Sequence, residues 1–250
     1  MADVQRNDIS LSPPAMASSS TLSDNTGTNR RWRVLLINPP FQRLKGVANL
    51  YFPLGLGYLA GSLKQAGFEC GIYNAENPQL DEVVHHNHLS LLEQHWKFIE
   101  ALAADDHDVW NEIRDTIAAF KPDILGLSVM TPVYGAAVKV NKIARRLSPN
   151  LPIVWGGPHP TVQAREILAD EPEVSAVVLG EGEVTMAELC ACIRSGKTDF
   201  ADVPGVAYRK LETVHVNPSR DFIQNLDELP WPDKSASLNI DAYFLSLIHI

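Results

Sequence analysis

Two apolar runs joined by a helical pattern constrain this chain more than any other feature. Lys121-Pro-Asp-Ile-Leu-Gly-Leu-Ser-Val-Met-Thr-Pro-Val-Tyr-Gly135 contains the run Ile124 to Leu127, and Leu151-Pro-Ile-Val-Trp-Gly-Gly-Pro-His-Pro-Thr161 contains Pro152 to Trp155. Each run is short, apolar throughout and followed by turn-forming residues. The segment Val133 to Leu147 between them carries helical spacing. Strand, helix, strand in that order predicts a parallel βαβ unit, whose strands are buried on both faces. Ligands of such units sit at the strand C-termini. Here those ends carry Ser128, Met130 and Thr131 in one loop and Gly156-Gly157 in the next. Hydroxyls donate and accept, and glycine lets a large flat ligand approach the backbone.

The rest of the chain repeats this rhythm. Residues 1–30 are rich in Ser, Asn, Asp and Thr, with too little apolar content to offset ordering entropy, and are expected to be a disordered leader. Arg33 to Ile37 reads as a first buried strand, stopped by Asn38-Pro39-Pro40 because proline removes the donor a strand needs. The loop from Phe41 to Pro53 is long for a βα connection, and long loops are more often functional. Leu54 to Ala66 has the spacing of a helix closed by Gly67. Its glycines Gly55, Gly57 and Gly61 imply close packing on the sheet or on a ligand. Phe68 to Tyr73 follows as the second strand.

Residues 74–108 break the pattern and read as an insertion. Leu89, Leu92, Trp96, Ile99 and Leu102 predict an amphipathic helix there, with His85, His86, His88, His95 and His107 scattered along it. Solvated histidines are the simpler reading of that tract, adventitious metal binding the other. Val109 to Phe120 predicts a helix leading into the third strand. Beyond Thr161 come a helix to Ala169, a strand from Val174 to Leu179, the turn Gly180-Glu-Gly-Glu183 and a helix from Thr185 to Ile193. Carboxylates at that turn suit a helix N-terminus without any catalytic role. Val206 to Arg209 and Thr213 to Val216 predict a β-hairpin, and Asn217 to Pro232 a proline-bearing linker.

The expected architecture is α/β: a flavodoxin-like, Rossmann-like doubly wound parallel sheet of five strands in the order 2-1-3-4-5, with a helical insertion and a C-terminal β-hairpin. Its parts are an α/β domain over 31–200, the hairpin and linker over 201–233, and a further segment over 234–250. The order of strands reverses between the first and third, so the loops at 38–53, 128–135 and 156–157 should face one crevice.

Composition narrows the function. A net charge of −9 with no Lys/Arg cluster argues against nucleic acid. The sequence has neither 18 consecutive apolar residues nor a secretory signal, which makes the cytoplasm the expected location and a membrane an unexpected partner. Cys70, Cys190 and Cys192 form no metal-binding spacing, so no metal site and no catalytic residue are expected.

At Leu36-Ile-Asn-Pro-Pro40, Pro53-Leu-Gly-Leu-Gly-Tyr-Leu59, Gly156-Gly-Pro-His-Pro-Thr161, Gly180-Glu-Gly-Glu183 and Leu226-Asp-Glu-Leu-Pro-Trp-Pro232, the chain resembles the N-terminal cobalamin-binding domain of cobalamin-dependent radical S-adenosylmethionine enzymes. The resemblance covers about residues 32–233. The wider cobalamin-binding fold has a three-part motif, Asp-x-His-x-x-Gly, Ser-x-Leu and Gly-Gly. Ser128-Val129-Met130 matches the second part and Gly156-Gly157 the third. The first is not matched: Asn38 takes the Asp position, Pro40 the His position and Arg43 the Gly position, so no axial histidine can come from that loop.

The resemblance implies cobalamin as the cofactor. Its contacts would come from Asn38, Pro39, Pro40, Ser128, Met130, Thr131, Gly156, Gly157, His159, Gly180 and Gly182. Thr131 and His159 would meet the corrin amides, although His159 reads equally as a structural histidine. It also implies a parent methyltransferase or cyclase using a 4Fe–4S cluster and S-adenosylmethionine. The Cys-x-x-x-Cys-x-x-Cys motif of that core is absent, and the chain stops at Tyr243 to Ile250, where the core should begin. The chain is therefore expected to be a fragment, with 234–250 the start of the truncated radical domain, the core as its missing partner, and no catalysis of its own. The alternative is a flavodoxin-like nucleotide- or flavin-binding domain or a signalling receiver. Asn38-Pro39-Pro40 and Ser128 stand where a receiver needs acids, and Phe41 to Leu44 where a flavin site needs hydroxyls.

Overall fold

The computed structural model describes residues 30–47, 51–77 and 90–240. Their elements are β1 (Arg33–Asn38), α1 (Leu54–Gln65), β2 (Glu69–Asn74), α2 (Leu91–Ala103), α3 (Asp108–Phe120), β3 (Ile124–Ser128), α4 (Tyr134–Leu147), β4 (Ile153–Gly156), α5 (Pro158–Asp170), β5 (Ala176–Val178), α6 (Glu183–Arg194), β6 (Val206–Lys210) and β7 (Thr213–Val216). The first five strands run parallel in the order β2-β1-β3-β4-β5, as expected. The sheet does not stop at five. β6 pairs antiparallel with β5, and β7 with β6, so one sheet has seven strands and the hairpin is its edge rather than an appendage. The unpaired side of β5 explains this, because an open strand edge needs a partner.

The continuous apolar strands are buried on both faces, which accounts for their lack of alternation. Leu35, Ile37, Leu125, Leu127, Ile153 and Trp155 face α3, α4 and α5. Val34, Leu36, Ile124, Val154, Ala176 and Val178 face α1 and α6. Cys190 lies in this second layer, fully buried, with Cys70 and Cys192 packed at its margin. Burial pushes the Cys70 and Cys190 thiols far up, so neither serves readily as a metal-binding thiolate.

Two local expectations change. The α1 glycines serve neither the sheet nor, for the most part, a ligand. A Cβ on Gly57 would stand 2.8 Å from the Phe52 ring and 3.0 Å from Pro232, and one on Gly61 would stand 2.6 Å from the Trp231 carbonyl. The exit segment Pro230 to Pro232 thus lies directly on the helix backbone. Asp233 N–H donates to the Gly57 carbonyl at 2.9 Å, and Lys64 pairs with Asp233 at 2.9 Å. In α2 the helix is present, opened by a Ser90/Glu93 capping box, but its inward face differs. Phe98, Ala101 and Leu102 pack inward, whereas Leu92, Trp96 and Ile99 are exposed. Trp110, which donates to the Ala101 carbonyl at 2.8 Å, fixes that rotation from α3.

Leu89, His85, His86, His88, the expected leader up to residue 29, and residues 241–250 lie outside the described residues. His95 is exposed and His107 caps α3, accepting from Val109 N–H at 3.3 Å. No group of three metal-binding side chains occurs among the described residues, and no helix there is long and apolar enough to cross a membrane.

Candidate functional site

A cleft of about 400 Å³ opens at the C-terminal edge of the sheet, on the α1/α6 side of the point where strand order reverses. Parallel register builds its floor. Leu36, Gly126 and Val154 stand side by side on β1, β3 and β4, and one pleat further Ser128, Gly156 and Val178 do the same. Alternation points all six at the cleft, where two of them have no side chain. The result is a trough along β3 and β4, walled by Leu54 to Leu59 of α1 and by Gly182 to Met186 of α6. In the trough, Leu36 Cδ2 lies 2.7 Å and Met186 Cε 3.3 Å from where a Cβ on Gly126 would be. Both atoms are the far ends of flexible side chains.

The loops at the rim are fastened to one another. Val129 N–H donates to the Gly156 carbonyl at 2.7 Å, and His159 N–H to the Val129 carbonyl at 3.3 Å. Thr161 joins the two glycine turns, donating its hydroxyl to the Gly157 carbonyl at 2.8 Å and accepting from Gly180 N–H at 3.0 Å. Across the cleft a buried amide network pins the first loop. Asn38 donates to Asn74 Oδ1 at 2.8 Å, and Asn74 donates to the Tyr51 carbonyl at 3.0 Å. Glu76, also buried, accepts from Gln42 and Arg43 N–H at 3.2 and 3.0 Å. Arg43 then reaches Glu112 through two 2.7 Å contacts, and Tyr73 donates to the same carboxylate at 2.9 Å. Gln42, Arg43 and Tyr51 of the loop after β1 are therefore held by buried polar partners.

Of the residues singled out from sequence, Asn38, Ser128, Met130, Gly156, Gly157, Gly180 and Gly182 line the cleft together. Pro39 and Pro40 do not. They are buried behind the end of β1. Thr131 and His159 are outside the lining and bonded to each other, hydroxyl to Nδ1 at 3.1 Å, with the His159 ring edge-on to Tyr134. The two adjacent glycines serve different ends. Gly157 has φ 116° and ψ −177°, backbone that only glycine adopts readily, and a Cβ there would meet the Val129 carbonyl at 2.8 Å. A Cβ on Gly156 would find only Val178, at 3.8 Å. Gly157 is thus required by the chain itself, and Gly156 by the space above it.

Sequence reasoning missed Gly126 and Glu183. A lone glycine inside an apolar strand was the available signal for the first, since it marks close approach of a ligand or backbone. For Glu183 there was none, because a carboxylate opening a helix has a sufficient structural explanation. Among the described residues, the cleft lining contains two carboxylates, Glu181 and Glu183, and no Lys, Arg or His. A flavin or nucleotide phosphate would find no cation there.

The family model for the B12 binding domain matches residues 44–190. An uncharacterized methyltransferase of Pyrococcus horikoshii is 31% identical over 204 residues, 80% of this chain and 38% of that protein. The anaerobic magnesium-protoporphyrin IX monomethyl ester cyclase of Rubrivivax gelatinosus is 28% identical over 79% of this chain and 31% of its own length. The chain thus spans about a third of the relatives it matches. Among solved structures, the cobalamin-dependent S-adenosylmethionine radical enzyme OxsB, with aqua-cobalamin and S-adenosylmethionine bound, shares the fold at TM-score 0.57 and 17% identity, over 85% of this chain and 25% of that one. The radical S-adenosylmethionine methyltransferase TsrM of Kitasatospora setae does so at 0.53 and 20%, over 80% and 31%. A family match over more than half of the sequence, on a flavodoxin-like sheet whose glycine-floored cleft lies inside the matched residues or at their edge, shows that this chain belongs to the B12 binding domain family.

Proposed function

We propose that the cleft holds cobalamin, with the nucleotide tail in the trough and the corrin over the strand C-termini. One observation carries this reading: at Gly156 the sheet floor bears no side chain although the fold leaves room for one, a Cβ there meeting nothing nearer than Val178 at 3.8 Å, so the open space above that backbone suits a ligand pressed against the sheet between α1 and α6. Ser128, Met130, Gly156, Gly180 and Gly182 line the tail's path, and Asn38 closes its near end. Gly157, Pro39 and Pro40 shape the rim from behind. Thr131 and His159, bonded to each other at the edge, would exchange that contact for the corrin's amides. When bound, cobalamin supplies a cobalt centre able to carry a methyl group.

The parent activity we infer is that of a radical S-adenosylmethionine methyltransferase or cyclase, in which residues 31–200 form the cofactor-binding domain, 201–233 its edge hairpin and exit segment, and 234–250 the approach to the radical core. Its support is the short span of the relatives covered, together with Phe222, Leu226 and Trp231, which are exposed along the exit segment where a further domain would cover them. The 4Fe–4S cluster and S-adenosylmethionine belong to that core. The cytoplasm is the proposed location, consistent with three free cysteines. Purified protein mixed with hydroxocobalamin and passed through gel filtration should carry close to one cobalamin per chain, read from corrin absorbance. A colourless protein peak overturns the proposal.

A further inference from the structure

Among the described residues of the cleft, one buried polar atom lacks a partner. Glu183, the first residue of α6, lines it, and its Oε2 is shut off from solvent with no hydrogen-bond partner among the described residues. Its neighbour in the turn is different: Glu181 Oε2 accepts from Ile223 N–H at 2.7 Å and is accounted for by the fold. Buried polar atoms are almost always paired, and an acceptor kept from water without a donor loses more than the bond would contribute. The helix N-terminus suits a carboxylate at this position, but an N-terminal field does not supply the missing donor. The cleft's own donors do not reach it: Asn38 donates to Asn74, and neither the Ser128 hydroxyl on the sheet floor nor any other described residue bonds to Glu183 Oε2.

We infer, resting on the cobalamin reading, that Glu183 is a ligand-binding residue whose partly exposed side chain turns toward the cleft on binding, so that its Oε2, closed to solvent before, accepts a hydrogen bond from a neutral N–H or O–H donor of the cofactor. Cobalamin offers two sources of that chemistry, the side-chain amides of the corrin, including the one that begins the tail, and the hydroxyls of the ribose in the nucleotide tail. The phosphodiester is excluded from this position, because Glu183 and Glu181 would both repel it with no cation among the described lining residues. The α6 end of the cleft therefore selects for donors and against anions, and it fixes which way along the trough the tail can lie.

The test compares wild type with Glu183→Ala, Glu183→Gln and a control, Glu188→Gln, on the exposed side of α6. Titration calorimetry with hydroxocobalamin should show Glu183→Ala binding about tenfold weaker or worse, since a charge-assisted bond is lost. Glu183→Gln should fall between, because its carbonyl still accepts, and Glu188→Gln should match wild type. Thermal unfolding without ligand separates folding from binding: both Glu183 variants should melt at or above the wild-type temperature. Dicyanocobinamide, which lacks ribose, phosphate and base, locates the donor. A loss carried over to it identifies a corrin amide, and a loss confined to cobalamin identifies the ribose. Wild-type affinity in Glu183→Ala overturns this inference alone, as does a weakening matched by a lowered melting temperature and repeated in Glu188→Gln. Wild-type protein that binds no cobalamin overturns the reading on which it rests.

Discussion

The adjacent glycines at the end of β4 allow fold and ligand to be tested separately. In Gly157→Ala, the new Cβ would sit 2.8 Å from the Val129 carbonyl oxygen and 3.1 Å from Val129 N, both backbone atoms. Neither can swing aside, because Val129 is bonded to Gly156 and to His159. The backbone at φ 116° adds strain of about 1–3 kcal/mol for a residue with a Cβ. With the displaced loop included, the expected loss is about 2–4 kcal/mol, or roughly 5–15 °C in melting temperature for a domain of this size. Gly156→Ala meets only ordinary contacts, the nearest at 3.8 Å. It should melt at the wild-type temperature or slightly above, because alanine has less chain entropy to lose. Its methyl nevertheless projects into the trough, and overpacking of about 1–3 kcal/mol against a bound tail should weaken cobalamin binding by roughly five- to a hundredfold. Circular dichroism melts without ligand and calorimetric titration with hydroxocobalamin measure the two effects. Full stability in Gly157→Ala, or full affinity in Gly156→Ala, would refute the division of roles between them.

Two further outcomes are expected. Arg43→Met leaves Glu112 buried beside Tyr73 without its guanidinium; with side-chain exposures of 6% and 14% in the pair, the protein should lose about 3–5 kcal/mol, seen as an earlier urea midpoint that Glu112→Leu in the same chain partly restores. Cobinamide bound to the protein and reduced to the cobalt(II) form should show no nitrogen superhyperfine triplet in paramagnetic resonance, since Pro40 is buried at the family's histidine position and His159 is bonded to Thr131; a triplet would reveal a protein nitrogen on cobalt.

What could be read from the sequence was whatever depends on local pattern and chain order. Apolar runs at Arg33 to Ile37, Ile124 to Leu127 and Pro152 to Trp155 read as doubly buried strands, and with helices between them the right-handed crossover rule pruned the parallel arrangements to a few, of which the flavodoxin-like 2-1-3-4-5 was expected and is found. That order located the crevice, and Asn38, Ser128, Met130, Gly156, Gly157, Gly180 and Gly182 meet there. Other features depended on atoms distant in sequence. Periodicity cannot say which side of α2 faces inward; Trp110 decided it. The α1 glycines implied close packing on the sheet or on a ligand until Pro230 to Pro232, some 170 residues later, proved to lie on two of them. Edge pairing turned a separate hairpin into the sixth and seventh strands, because β5 alone would have left an open ladder. Gly156 and Gly157 read alike in sequence, and only the Val129 carbonyl tells them apart. The Glu183 oxygen without a partner among the described residues is likewise a property of its surroundings: a carboxylate becomes a candidate ligand contact only once the neighbours around it have been placed.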